Sequence, residues 1–137
     1  SRLKIDRNHL KGKRALVVED GPTLTHGGMK FGAGYLAAKN AGAKIVSPRK
    51  YAIGSIRETY EKYKQVSQVL PAMGYGKEQI MELQKTVNRV PCDVVVSGTP
   101  IKLSRIIKSR RPVVNVTYVL EEKGLSLEHV LRKRGFI

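Results

Sequence analysis

The chain alternates short β-branched runs with segments of helical periodicity, and this alternation limits the folds that it can adopt. A run at 14–18 is followed by apolar residues spaced three and four apart over 28–40, and the same order then recurs. Because parallel strands need crossovers, the pattern predicts a Rossmann-like, doubly wound α/β fold with a mostly parallel sheet of about five strands and helices on both faces. The predicted strands are 14–18, 43–46, 68–73, 93–96 and 112–119, and the predicted helices are 28–40, one starting near Ser55, 77–88, one after Pro100, and 127–134.

The length of 137 residues predicts a single domain spanning 1–137. No apolar run approaches the roughly 18 to 20 residues that a membrane helix needs, and the polar start lacks a signal peptide. We therefore expect a cytoplasmic protein with no membrane partner. The chain begins with Ser1 rather than methionine, which predicts that it was processed or cut from a longer protein.

Cys92 is the only cysteine, so neither an intrachain disulfide nor a thiolate metal cluster can form within one copy. It directly precedes the apolar run 93–96, where an unpaired cysteine acts as a small hydrophobic residue. We expect Cys92 to be a core residue rather than a catalytic thiol.

The formal charge of +15 favours polyanionic partners. A nucleic acid, a multiply phosphorylated small molecule and an acidic partner domain all fit that charge, and so does a solvated basic surface with no partner. Basic clusters lie at 11–14, 102–111 and 132–134, without zinc-finger spacing or an aromatic RNA-recognition motif. Charge alone therefore leaves these alternatives open, and oligomeric state, including a homo-oligomer, is equally open.

The segment 19–28 combines two carboxylates, two threonines, a histidine and three glycines where the first predicted strand meets a helix. Ligands of parallel sheets bind beyond the carboxyl ends of the strands. Gly27 and Gly28 would expose backbone N–H groups to a phosphate at the helix start. Thr23 and Thr25 would donate further hydrogen bonds to the same ligand. The segment predicts a site for a phosphorylated ligand, although Asp-Gly is also a common turn.

Three side chains of this segment are candidate catalytic residues. His26 would hold a phosphate oxygen or move a proton, because its ordinary pKa lies nearest neutrality. Glu19 and Asp20 would be useful with Mg²⁺ between them and the phosphate, and Asp20 is the candidate metal ligand. A lone surface histidine is the alternative interpretation of His26.

Two further loops follow predicted strands, and in a parallel sheet they would lie on the same edge as segment 19–28. The first offers Arg49, Ser55 and Arg57, since arginine makes forked contacts to phosphate. The second offers Gly98 and Thr99, which would bind a ligand or cap the next helix. We include all five among the candidate substrate-binding residues.

These segments resemble the C-terminal portion of the archaeal cyclic 2,3-diphosphoglycerate synthetase family, whose members are often labelled predicted GTPases. The resemblance is carried by the run Val-Glu-Asp-Gly-Pro-Thr-Leu-Thr-His-Gly-Gly and spans about residues 13 to 122. The matching segments are 17–29, 32–35, 48–49, 51–52, 54–56, 70–75, 92–96 and 98–100.

The resemblance implies a ligase that joins the two phosphates of 2,3-diphosphoglycerate into an intramolecular anhydride, driven by ATP or GTP with Mg²⁺. Full-length members carry an upstream P-loop nucleotide-binding region, and this chain contains no Gly-x-x-x-x-Gly-Lys-Ser/Thr sequence. The chain would then bind substrate phosphates and contact a P-loop partner domain, with no nucleotide or metal held by it alone. A nucleic-acid-binding module and a non-catalytic docking or regulatory domain are the alternatives.

Overall fold

A computed structural model describes residues 10–26 and 32–116, and its centre is strand β1 (Arg14–Asp20). Ala15, Leu16, Val17 and Val18 are completely buried. Successive side chains of a strand point to opposite faces, so a run buried without interruption means that both faces of β1 are covered. This is why the run is apolar throughout rather than alternating.

All strand pairings of the described sheet are parallel. Ala15 of β1 is in register with both Ile45 and Val94, whereas Val18 is in register with both Leu70 and Ser97. The second and third strands therefore share one side of β1, and the fourth lies on the other side with the fifth beyond it. The remaining strands are β2 (Lys44–Ile45), β3 (Leu70–Ala72), β4 (Val94–Ser97) and β5 (Val113–Asn115).

Four α-helices connect the described strands: α1 (Gly21–His26), α2 (Ala33–Asn40), α3 (Gly54–Lys62) and α4 (Lys77–Arg89). Helix α2 covers the face of β1 that carries Val17, and α3 packs against both α4 and β3. Short 3₁₀ turns lie at Arg49–Tyr51 and Leu103–Arg105. The α/β fold with a parallel five-stranded sheet is confirmed.

Two local predictions were wrong. The segment after β1 is not a loop leading into one helix at 28–40, because Gly21–His26 is already helical and α2 starts only at Ala33. The predicted helix after Pro100 is only the 3₁₀ turn Leu103–Arg105. The fifth strand covers Val113–Asn115 within the predicted 112–119, and the predicted helix at 127–134 lies outside the described residues.

Proline in β3 has a simple explanation. Pro71 sits in the middle of a strand that pairs with β1 alone among the described strands. A residue without an N–H group is tolerated where no second strand needs that donor. The longest described helix has 13 residues, and none of the helices in this part of the chain has the length and hydropathy of a membrane span.

Candidate functional site

The carboxyl ends of β1 and β4 lie side by side. Val18 is in register with Ser97, and the Gly98 N–H group donates to the Val18 carbonyl at 2.8 Å. The loops after β1 and β4 leave the sheet at this edge, as predicted. Strand β2 ends earlier, with Ile45 in register with Ala15 near the amino end of β1, so the loop after β2 does not start at the same edge. The edge at which β1 and β4 end is the candidate functional site.

Glu19 is buried, and its carboxylate is bound by the start of α2. Oε2 accepts hydrogen bonds from the N–H groups of Gly32 and Tyr35, both at 2.9 Å, and Oε1 accepts one from Gly34 at 3.1 Å. Burial raises the pKa of the Glu19 carboxyl, whereas the three N–H donors oppose that rise. The geometry makes Glu19 a buried carboxyl group held at a helix N-terminus, and its predicted catalytic role stays a prediction.

Two glycines leave the space that Glu19 occupies. A Cβ atom built on Gly98 would collide with Oε1 of Glu19 and lie 2.9 Å from the Gly34 nitrogen. A Cβ atom on Gly34 would likewise lie 2.9 Å from Oε1 of Glu19. Gly98 therefore serves the packing of α2 against β4, and its N–H group is already bonded to β1.

Asp20 ends β1 half-buried and in register with Ala72 of β3. Its charge acts on Tyr75, which follows β3: burial first, and the negative charge of Asp20 second, raise the pKa of the Tyr75 hydroxyl. That hydroxyl oxygen is buried and has no hydrogen-bond partner within the described chain. Asp20 and Tyr75 together give this edge a carboxylate and a buried hydroxyl, of which the sequence predicted only the carboxylate.

The loop after β4 is closed by its own side chains. The hydroxyl groups of Ser97 and Thr99 lie 2.8 Å apart, and Thr99 Oγ1 donates to the Ile101 carbonyl at 2.6 Å. The Thr99 N–H group donates to Ser97 Oγ at 3.4 Å. These groups are engaged within the loop, so ligand binding by Gly98 and Thr99 stays a prediction.

Ser55 also meets a carboxylate of this chain. It is the second residue of α3, not the N-cap, and both its N–H group and its hydroxyl donate to the carboxylate of Glu82 on α4. Gly54 has φ of +56°, and a Cβ atom there would collide with the same carboxylate. Glu82 therefore occupies the N-terminus of α3, a position at which the sequence predicted a phosphate contact from Ser55.

Arg49 and Arg57 line a different place, a cleft of about 710 Å³ after β2 that also includes Lys50, Tyr51 and Tyr60. The Arg49 guanidinium lies 5.9 Å from the centre of the Tyr60 ring and donates to the Tyr60 carbonyl at 3.4 Å. Arg57 pairs with Glu61 at 3.7 Å, with both side chains mostly exposed. We call this basic cleft the Arg49 cleft; none of the residues that line it belongs to β1, β4 or the loops that follow them.

The remaining candidates belong to α1 and the residues after it. Thr23, Thr25 and His26 have helical backbone, while their side chains, together with Gly27 and Gly28, lie outside the described residues. No group of three or more His, Cys, Asp and Glu side chains suited to a metal occurs in the described ranges, and Asp20 as a Mg²⁺ ligand stays a prediction. Cys92 is buried, which confirms it as a core residue, and burial raises the pKa of its thiol.

The fold and this edge define an α/β domain that has a parallel sheet with a carboxylate-bearing edge and a basic cleft elsewhere on its surface. The chain is 62% identical over 116 residues to the arginine synthetase ArcE of Thermococcus kodakarensis. That alignment covers 84% of this chain but 26% of the Thermococcus protein, so the chain spans about a quarter of the relative's length. No family model and no solved structure matches the chain.

Proposed function

We propose that this chain is one domain of a nucleoside-triphosphate-dependent synthetase that forms arginine. The observation that carries the proposal is its 62% identity over 84% of its length to a protein named for that activity. Because the match covers 26% of the relative, the chain supplies one part of the activity and other domains supply the rest. The absence of a P-loop sequence favours placing ATP or GTP, with Mg²⁺, on a partner domain.

In this proposal the carboxyl edge of β1 faces the substrate. Arginine carries a guanidinium group, and a carboxylate binds that group through two parallel hydrogen bonds. Asp20 is the half-buried carboxylate that ends β1, next to the buried hydroxyl of Tyr75. We assign Asp20 to the end of the bound molecule at which the guanidinium group of arginine is formed, while Glu19 keeps α2 in place behind it.

Cyclic 2,3-diphosphoglycerate formation is the second candidate, and the Arg49 cleft favours it. Arg49, Lys50 and Arg57 line one cavity, whose volume suits a small ligand. Pressing two phosphates together raises their repulsion, and fixed cations offset that repulsion in the transition state. In the arginine-forming candidate the triphosphate lies on a partner domain, so these cations would have no phosphate to bind within this chain unless the second substrate carries one.

A chimaeric enzyme separates the two candidates. The matching 116-residue segment of the Thermococcus protein is replaced by the segment of this chain, and triphosphate-dependent arginine formation is measured. We expect the chimaera to form arginine. Asp20→Asn should lower its rate about 10- to 150-fold, because a hydrogen bond to a charged group contributes about 1.5–3 kcal/mol.

Asp93→Asn is the matched control, since Asp93 lies at the opposite end of the sheet, paired with Arg14 at 3.2 Å. It should leave arginine formation unchanged. The second candidate would be favoured by a chimaera that folds normally and cyclises 2,3-diphosphoglycerate instead of forming arginine. In that case Arg49→Ala should weaken diphosphoglycerate binding, measured by calorimetry. A folded chimaera with neither activity would contradict both candidates.

A further inference from the structure

A second basic cleft adjoins the Arg49 cleft. It has a volume of about 700 Å³ and includes Lys85, Arg89 and Arg110, and we call it the Arg89 cleft. Tyr51 lines both clefts, so they meet at one aromatic ring. None of the three cations of the Arg89 cleft was among the predicted site residues.

Side chains of α4 build the wall of the Arg89 cleft. Gln84 accepts the Lys108 N–H group at 2.9 Å, while Asn88 donates to the Lys108 carbonyl and accepts the Arg110 N–H group, both at 2.8 Å. These three bonds fasten the loop 108–110 to the helix. Arg110 is thereby held beside Arg89 rather than left on a free loop.

The cations placed there repel one another. Lys85 and Arg89 stand four residues apart on α4, a like-charge arrangement that destabilises a helix by a few tenths of a kcal/mol. Within residues 10–26 and 32–116, neither they nor Arg110 form an ion pair with a carboxylate. Of the described residues that line the two clefts, only Glu61 is acidic, and it is paired with Arg57.

We propose that the two clefts form one surface for single-stranded nucleic acid. Proteins bind single strands by combining a basic groove that follows the phosphates with aromatic rings on which bases stack. Here cations line both of the clefts that meet at Tyr51, and the Lys50 ammonium lies 5.3 Å from the centre of the Tyr51 ring. A base would stack on that ring beside the Lys50 cation. The chain's charge of +15 adds long-range attraction. The proposal goes beyond the synthetase activity, in which Lys85, Arg89 and Arg110 have no role.

Fluorescence anisotropy with the full 137-residue chain tests this surface, using labelled 15-nucleotide oligo(U) and oligo(dT) over a range of salt concentrations. Each phosphate contact on a single strand contributes about −0.7 to the slope of log affinity against log salt. Six cations predict a slope of about −4 by that rule. They are Arg49, Lys50, Arg57, Lys85, Arg89 and Arg110.

The double variant Arg89→Gln with Arg110→Gln should reduce the steepness of the slope by about 1.4 and lower affinity at low salt about 10- to 100-fold. Tyr51→Ala should weaken binding about 5- to 150-fold, as loss of one stacked base does. The matched control is Lys11→Gln with Lys44→Gln, which removes the same charge from two residues that line neither cleft. That control should keep the slope and the affinity.

Equal losses in the two double variants would overturn the proposal, because binding would then follow net charge alone. Three other results would also overturn the proposal. In the first, the chain binds no oligonucleotide at low salt; in the second, ATP displaces the labelled oligonucleotide as well as an unlabelled one does; in the third, poly-glutamate binds as tightly as the oligonucleotide. All the altered cations are exposed, so the variants should fold like the unaltered protein. Thermal melts verify this. Lys85→Glu is a further variant that should weaken oligonucleotide binding more than Lys44→Glu.

Discussion

The substitution Gly98→Ala tests the packing that positions the candidate edge. Gly98 is not among the described glycines with positive φ, so alanine can adopt its backbone conformation. On backbone entropy alone, the change would stabilise the protein by roughly 0.4–1 kcal/mol. The added Cβ atom, however, would collide with Oε1 of Glu19 and lie 2.9 Å from the nitrogen and 3.2 Å from the Cα atom of Gly34.

The magnitude follows from what has to move. Overpacking of a core costs about 1–3 kcal/mol, and displacing Glu19 weakens bonds to backbone N–H groups that contribute about 1.5–3 kcal/mol each. After the entropic gain is subtracted, we expect Gly98→Ala to lower the free energy of unfolding by about 2–4 kcal/mol. For a chain of this size, that corresponds to a fall in Tm of about 10 °C, measured by circular dichroism.

Gly76→Ala is the matched control, because its Cβ atom would meet only the flexible end of Gln79, at 3.1 Å. Gly76 is the N-cap of α4, where alanine is less favourable than glycine, so the Tm of this variant should fall by no more than about 4 °C. In a double-mutant cycle, Gly98→Ala should cost at least about 1 kcal/mol less when Glu19→Ala has removed the obstructing oxygen. A Gly98→Ala protein that melts at or above the parent temperature, or a cycle without coupling, would refute the reasoning.

Two further predictions concern carboxylates. Glu82→Gln should lower the free energy of unfolding by about 1–2 kcal/mol in urea titrations, because the charge at the start of α3 and one of the two oxygens that accept from Ser55 are lost. A change no larger than that of exposed Glu58→Gln would contradict this. The Arg14 guanidinium holds the pKa of Asp93 below its usual value, so this pair stabilises the fold above the unfolded-state pKa, and the effect disappears as pH falls through the folded-state pKa. Titration of the Asp93 carboxyl by NMR should give a value below 3.8, and Asp93→Asn should flatten the acid limb of the stability curve.

The fold was predictable because its strongest signals are local. The run 15–18 is apolar on both faces and is buried on both, and α4 begins at Lys77, as its periodicity indicates. The prediction for the segment after β1 was wrong because tertiary contacts decide its conformation. Asp20-Gly21 has the composition of a turn, yet Gly21 starts α1, and the need for glycine arises from the Ala72 carbonyl and Met73 packed against it.

The prediction of a helix after Pro100 was wrong for a different reason. Proline in a first turn and apolar residues at later positions favour a helix, but Thr99 donates its hydroxyl to the Ile101 carbonyl and so competes with helical bonding. Leu103 and Ile107 are buried, whereas Ile101 is 41% exposed. The apolar spacing therefore predicted correctly that some of these residues are buried. It did not predict the backbone conformation of the segment.

The site was predicted less well because residue types do not reveal which partners they will meet. Period-two alternation from Val17 places Glu19 on the face covered by α2, and this signal was present in the sequence. The sequence contains no pattern that predicts the contact of Glu82 with Ser55. The two residues are 27 positions apart, and only the packing of α3 on α4 brings them together. The Arg89 cleft depends in the same way on Asn88 fastening a loop distant in sequence.

Glu19 and Glu82 together change where an anionic ligand can bind. A helix N-terminus attracts phosphate through its unpaired N–H groups, but here those of α2 and α3 already face carboxylates of the same chain. A phosphate brought within about 4 Å of an ionised Glu19 would meet a repulsion of about 4 kcal/mol at an effective dielectric constant near 20. At these two helix starts, anion binding would need side-chain cations, which this chain carries in large excess and which line the Arg49 and Arg89 clefts. Because burial raises the pKa of Glu19, protonation would relieve that repulsion at α2 as the pH falls, whereas the two clefts would keep their charge.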